Sequence, residues 1–229
     1  SIGVLKSTDG GETWDESLSF DVGNYKLTTR LLLHPDDDNT LYASTNEGVY
    51  KTDNRGDSWT KISDVSLIDM EFKPGNPEIM YGWTKSNPTK IYKSVNGGGT
   101  WIEVLSVTGT RTELAVTPNK PDRAYAVVSN TSSGLEGIYR SEDSGGSFEK
   151  VYDSKNLLGW ASDGSDNGGQ GWYDLTIAAD PNYGDTLYVG GVNTWRSING
   201  GDSWQIVNHW WGDGVPAAHA DKHCMDFQH

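Results

Sequence analysis

The chain carries one cysteine, Cys224, in 229 residues. That excludes an internal disulfide and any zinc site built from several thiolates. No apolar run reaches membrane-spanning length, so membrane insertion is not expected. Positive charge is scarce: 18 Lys and Arg face 32 Asp and Glu, a net charge of −14. Nucleic acid is disfavoured as a partner, because a phosphate backbone needs Lys and Arg to neutralise it. The balance suits a soluble, often extracellular protein, or one that holds hard cations. Helical periodicity of useful length is also missing. Nothing in the sequence points to an organic cofactor.

Aliphatic residues are few, but there are 10 Trp and 11 Tyr. Apolar burial must lean on rings, each of which covers a large area. The length allows one large all-β domain or two small ones. The sequence opens on "SIGVLKSTDGG", already inside the repeat described next. The expectation is a processed or truncated piece of a longer chain, for which a missing leader carries no information.

Five segments share one template: 7–14 "STDGGETW", 52–59 "TDNRGDSW", 94–101 "SVNGGGTW", 141–148 "SEDSGGSF" and 197–204 "SINGGDSW". Each runs Ser/Thr, Asp/Asn two on, Gly two further, Ser/Thr two further, then an aromatic residue. The pattern predicts a β-hairpin. The Asp/Asn side chain accepts from turn N–H groups, Gly supplies positive φ, and the ring packs back as an apolar anchor. A second unit recurs between the hairpins: an apolar strand ending at Pro35, Pro74, Pro118 or Pro181, a polar turn, then a strand carrying Tyr42, Tyr81, Tyr125 or Tyr188. Each period therefore holds four short antiparallel strands, which describes a β-propeller blade. The expected fold is all-β, a β-propeller over 1–229 with about five blades present. It is expected to be a segment of a larger propeller.

The template Ser/Thr-x-Asp/Asn-x-Gly-x-Ser/Thr-Trp/Phe resembles the Asp-box, or BNR, motif. Sialidases, family 74 glycoside hydrolases, sortilin-type receptors and many secreted bacterial propellers share it. The stretches 168–204 and 209–223 look like those of secreted bacterial BNR-repeat proteins of the glycosyl hydrolase-like kind. The resemblance implies the propeller fold, a secreted or cell-surface location, and a glycan or an extracellular protein as partner. It does not name a function, since the motif is a structural hairpin in all these families. Sialidase chemistry is disfavoured, with no arginine triad or Arg-Ile-Pro motif. The catalytic Asp segments of family 74 have no recognisable counterpart.

The hairpins lie on one side of a propeller, and the connections between successive blades lie on the other. From the hairpin aromatic to the end of the next innermost strand takes 21, 15, 17, 33 and 25 residues. The last two connections are enlarged, and insertions on a rigid scaffold are where sites tend to sit. They hold "DGSDNGGQGWYD" (163–174) and "HWWGDGVPAAHADKH" (209–223), aligned on adjacent blades at one level.

His219, Asp221 and His223 stand at every second position and share one face if the chain is extended. Two imidazoles and a carboxylate suit Zn²⁺ or a similar transition metal, or an acid/base group with its orienting partners. His209 and His229 are further candidates. The plainer alternative is a polar strand start whose imidazoles bond to backbone. Asp163, Ser165, Asn167 and Asp174 follow a calcium-loop spacing, against the alternative of Asx turns in a Gly-rich loop. Trp172, Tyr173, Trp210 and Trp211, with His209, are candidate ligand-binding residues, since rings with a polar tip suit a half-dry site. Trp160 shares that region.

Three functions remain open. One is a secreted propeller that binds glycan or protein through this loop face. Another is a glycoside hydrolase with Asp174 and Asp221 as its carboxylate pair. The third is a structural or receptor-like propeller.

Overall fold

The computed structural model describes residues 3–20 and 27–227. Its eighteen strands form four four-stranded antiparallel sheets and one two-stranded sheet. The pair is β1 (Gly3–Lys6) with β2 (Asp15–Ser19). The first full sheet runs β3 (Thr28–Leu33), β4 (Leu41–Thr45), β5 (Gly48–Thr52), β6 (Thr60–Ser63). The second runs β7 (Asp69–Phe72), β8 (Met80–Thr84), β9 (Thr89–Ser94), β10 (Ile102–Val107). The third runs β11 (Arg111–Val116), β12 (Ala124–Ser129), β13 (Leu135–Ser141), β14 (Glu149–Tyr152). The fourth runs β15 (Thr176–Ala179), β16 (Leu187–Gly190), β17 (Thr194–Ser197), β18 (Gln205–Asn208). Strands neighbouring in sequence pair in space throughout, so each sheet is a meander, and the described part is all-β with no helix.

The first strands of the sheets stand side by side, β3 against β7, β7 against β11 and β11 against β15. This is the β-propeller arrangement, with four complete blades and part of another. It explains the burial gradient. The second strand of a blade is covered on both faces and β12 is buried at all six positions, whereas the last strands β6 and β14 expose their first two residues. Hence the second strands read Leu-Tyr-Ala or Ala-Tyr-Ala-Val-Val, and the last strands are mixed.

The core lies between blades. Tyr81, Trp83, Ile91, Leu114, Ala126 and Val128 pack between the second and third, and Tyr125, Ile138, Leu187, Val189 and Trp195 between the third and fourth. Trp83 and Trp195 bury their indole N–H without an acceptor. Each omission costs about 1–3 kcal/mol, comparable to the ~3 kcal/mol that burying so large a ring contributes. Tyr125 avoids the cost, because its hydroxyl donates to the Gly184 carbonyl of the next blade at 2.8 Å.

The five turn templates fold alike. In 94–101 the Ser94 hydroxyl donates to Asn96 Oδ1 at 3.0 Å and accepts from the Gly98 N–H at 2.9 Å. Asn96 Oδ1 also accepts from the Thr100 N–H at 2.9 Å. The fourth and fifth template positions are both left-handed, including Arg55 (φ 58°) and Ser144 (φ 57°) ahead of Gly56 and Gly145. The sequence pattern pointed to only one such residue per turn. In three of the turns the aromatic adds an indole N–H bond to its packing: Trp101 and Trp204 donate to the carbonyls of Gly98 and Gly201 at 2.9 Å. Trp14 makes the same bond to Gly11 at 3.1 Å but stays exposed.

Candidate functional site

The two enlarged connections meet, as their alignment implied, and several contacts join them. The Asp221 N–H donates to Asp174 Oδ2 at 3.1 Å. The His223 ring stands edge-on to Tyr173, with centroids 4.7 Å apart. The Ser162 hydroxyl donates to Asp213. Two buried polar residues hold the outer part. Asn193 donates from Nδ2 to the Gly159 carbonyl at 3.0 Å and accepts the Trp210 N–H at 3.1 Å. The His209 Nε2 lies 2.9 Å from the Trp160 carbonyl. A carbonyl only accepts, so Nε2 carries the proton and Nδ1 is left facing the Trp211 N–H at 3.5 Å. His209 is thus a buried strut beneath the aromatic face rather than a group open to ligand.

Above these struts the rings are open. Trp160, Trp172, Tyr173, Trp210 and Trp211 are all exposed, Trp172 by 64% and Trp211 by 66%. Four of them form two pairs. Trp210 and Trp211 are tilted against each other at 4.3 Å, and Trp172 and Tyr173 at 5.3 Å. These rings stay in water on the two joined loops and take no part in the buried core.

The ligand sets expected from spacing do not assemble. The extended backbone that put His219, Asp221 and His223 on one face is absent: 218–227 contains no strand, and Asp221 is left-handed at φ 67°. His219 is turned into solvent with 90% of its side chain exposed, bonding its neighbour's carbonyl, and its Nδ1 is 4.0 Å from Asp221. His223 is packed on Tyr173 instead. In the calcium-spaced loop, Asp163 Oδ1 closes an Asx turn with the Ser165 N–H at 3.0 Å, and Ser165 and Asn167 are exposed. Asp166, a residue the spacing argument passed over, does more. Its Oδ2 accepts the N–H groups of Trp160 and Ala161 at 2.6 and 3.2 Å. Asp174 faces the other loop. Among the described residues no three His, Cys, Asp or Glu side chains gather closely enough to hold a metal ion. His229 lies outside the described residues.

The proposed carboxylate pair is brought together but unequally. Asp221 keeps 42% of its side chain exposed. Asp174 is 1% exposed, with Oδ1 unpartnered. Burial raises its pKa, and the Asp221 N–H only partly offsets this. Lys222 ties the segment down by donating to the carbonyls of His219 and Val192 at 2.7 and 3.0 Å. Burial there lowers the ammonium's pKa.

A second set of charges was not anticipated. The innermost strands carry Arg30, Asp69, Glu71, Arg111 and Glu113 around the axis. Arg30 bridges Asp69 at 3.0 Å and Glu71 at 2.9 Å, and Arg111 pairs with Glu113 at 2.9 Å. Arg30, Asp69, Glu71 and Glu113, with residues 223–227, line a cavity of about 320 Å³. Burial, then the neighbouring Asp69, pushes Glu71 up to about 8 and Glu113 up to about 7. A signal existed in the sequence. Arg30, Asp69 and Glu113 each stand five residues before the proline that ends their strand.

Fold and site together define a β-propeller with an aromatic loop face at the enlarged blade connections. No family model matches the chain. It is 27% identical over 213 residues to a xyloglucanase of Paenibacillus sp., covering 91% of this chain and 19% of that protein. Among solved structures it is similar to an ancestral GH74 enzyme, with a TM-score of 0.64 at 20% identity, over 79% of this chain and 24% of the other. It is also similar to the GH74 xyloglucanase from Xanthomonas campestris, with a TM-score of 0.62 at 19% identity, over 83% and 31%. The structural likenesses establish a GH74-like propeller fold. The chain spans less than a fifth of the length of the curated xyloglucanases it matches.

Proposed function

We propose that this chain is the propeller part of an extracellular glycoside hydrolase acting on a xyloglucan-type polysaccharide, and that the aromatic loop face takes the sugar chain. The observation that carries this reading is the group of five exposed rings on two interlocked loops. Sugar faces are apolar and their edges polar, so open indoles beside carboxylates match them. The likeness to a xyloglucanase supports the substrate class. The five turns, read as Asp-boxes, serve the scaffold only. Asp221 is the exposed carboxylate within reach of a bound glycan. Buried Asp174 acts on it as a positioning residue.

Affinity electrophoresis of the full-length protein in gels containing xyloglucan, with reducing ends measured in parallel, tests this. Retardation by xyloglucan is expected, with about thirtyfold weaker binding in Trp172→Ala or Trp211→Ala if each ring is a hot spot of about 2 kcal/mol. Neither retardation nor product with any β-glucan would sink the proposal. The burial of Asp174 favours a second reading, a glycan-binding propeller without catalysis. Retardation without release of reducing ends selects it.

A further inference from the structure

Trp172 and Tyr173 are exposed, so their own burial does not fix where they point. Their direction is set by the backbone of 172–175, and one side chain holds that backbone. The Arg111 guanidinium, on innermost strand β11, donates from Nη1 to the Tyr173 carbonyl and from Nη2 to the Leu175 carbonyl at 3.4 Å. These two carbonyls flank Asp174. Asp174 in turn accepts the N–H of Asp221, whose left-handed backbone needs an external hold. Behind Arg111, Glu113 Oε1 accepts from Nε at 3.0 Å and fixes the plane of the fork. Loops from two different blade connections are therefore fastened at one guanidinium on a strand that belongs to neither.

We infer that Arg111, oriented by Glu113, is the positioning residue of the loop face, setting the backbone on which Trp172, Tyr173 and Asp221 meet the glycan. The inference deepens the proposed function and rests on it for the ligand, but not for the fastening itself. A plain structural role, in which Arg111 only balances the charge of Glu113, makes a different forecast. Lysine replaces the charge but not the planar fork that spans two carbonyls.

The test uses the full-length protein, amide hydrogen exchange and xyloglucan retention. In Arg111→Gln, the amides of Tyr173, Asp174 and Asp221 are expected to exchange at least about tenfold faster. Those of Ala126 and Val127 in β12 should stay as in the parent. Xyloglucan affinity should fall about tenfold. Arg111→Lys should resemble Arg111→Gln in both readouts, and it decides the matter if the glutamine variant does not fold. Glu113→Gln should shift the same amides less, in the same direction. Parental exchange at the three amides in Arg111→Lys overturns the inference. So does changed exchange with unchanged affinity in a protein whose parent binds. If the parent does not bind xyloglucan the ligand assignment fails, while the exchange data still decide whether Arg111 fastens the loops.

Discussion

Raising the pH from 5.5 to 8.5 should destabilise this protein through the carboxyls at its axis, chiefly Glu71. Burial is the main cause of that group's pKa of about 8, compared with an ordinary 4.5, and repulsion from Asp69 adds to it. A carboxyl with a raised folded-state pKa holds its proton more tightly when folded. Its contribution is fully present below pH 4.5 and is lost as pH rises towards 8. The face-value magnitude between pH 5.5 and 8.5 is on the order of 3 kcal/mol. The side chain keeps 22% of its surface exposed, and an interior that relaxes and admits water leaves about 2 kcal/mol as the working figure. For a chain of this size that is a fall in Tm of about 4–8 °C between the two pH values. Thermal unfolding followed by near-UV circular dichroism gives the slope. The chain's net charge of −14 also grows more repulsive with pH, so Glu71→Gln is the necessary control. It should remove at least half of the slope while Arg30 keeps its bridge to Asp69. An identical slope in parent and variant, or a parent more stable at pH 8.5, refutes the reasoning.

Two further outcomes follow from local geometry. Gly145→Ala puts a Cβ 2.4 Å from Tyr81 Cε1 at φ +72°; urea unfolding should show a loss of about 2–3 kcal/mol, and a loss under 0.5 kcal/mol would contradict the packing. His209→Ala removes the proton donor to the Trp160 carbonyl from a buried position; exchange at the Trp210 and Trp211 amides should accelerate at least about tenfold, and unchanged rates would show that Asn193 alone holds the loop.

The fold was legible because its signal is repeated. One eight-residue template and one proline-ended strand recur in register, so a chance match at any one copy is corrected by the others. The location of the loop face was legible for a related reason: enlarged connections stand out against short ones. The contents of that face were only half legible. The period-two argument for His219, Asp221 and His223 assumed an extended chain, and the left-handed Asp221 breaks it. His209 and Asn193 look like loop polar residues in sequence, and only the buried carbonyls of Gly159 and Trp160 give them their roles. The axial charges are invisible strand by strand. An Arg or Glu within an apolar strand is unremarkable until neighbouring innermost strands stand around one axis, as β3 and β7 do when they bring Arg30 within 3.0 Å of Asp69 and Glu71.

The turn template has a consequence for how such chains lengthen and diverge. In 94–101 the polar groups of the turn are satisfied within the blade, by Ser94, Asn96 and the indole of Trp101 inside the turn and by the Glu78 carbonyl, which accepts the Gly97 N–H at 2.9 Å. A blade fastened by its own hydrogen bonds can be copied as one block, since no partner elsewhere must be re-found. Change is then confined to the opposite side, where a connection can grow while every hairpin keeps its shape. Duplication supplies the rim of such a molecule, and the inserted loops record what each copy has since been selected to touch.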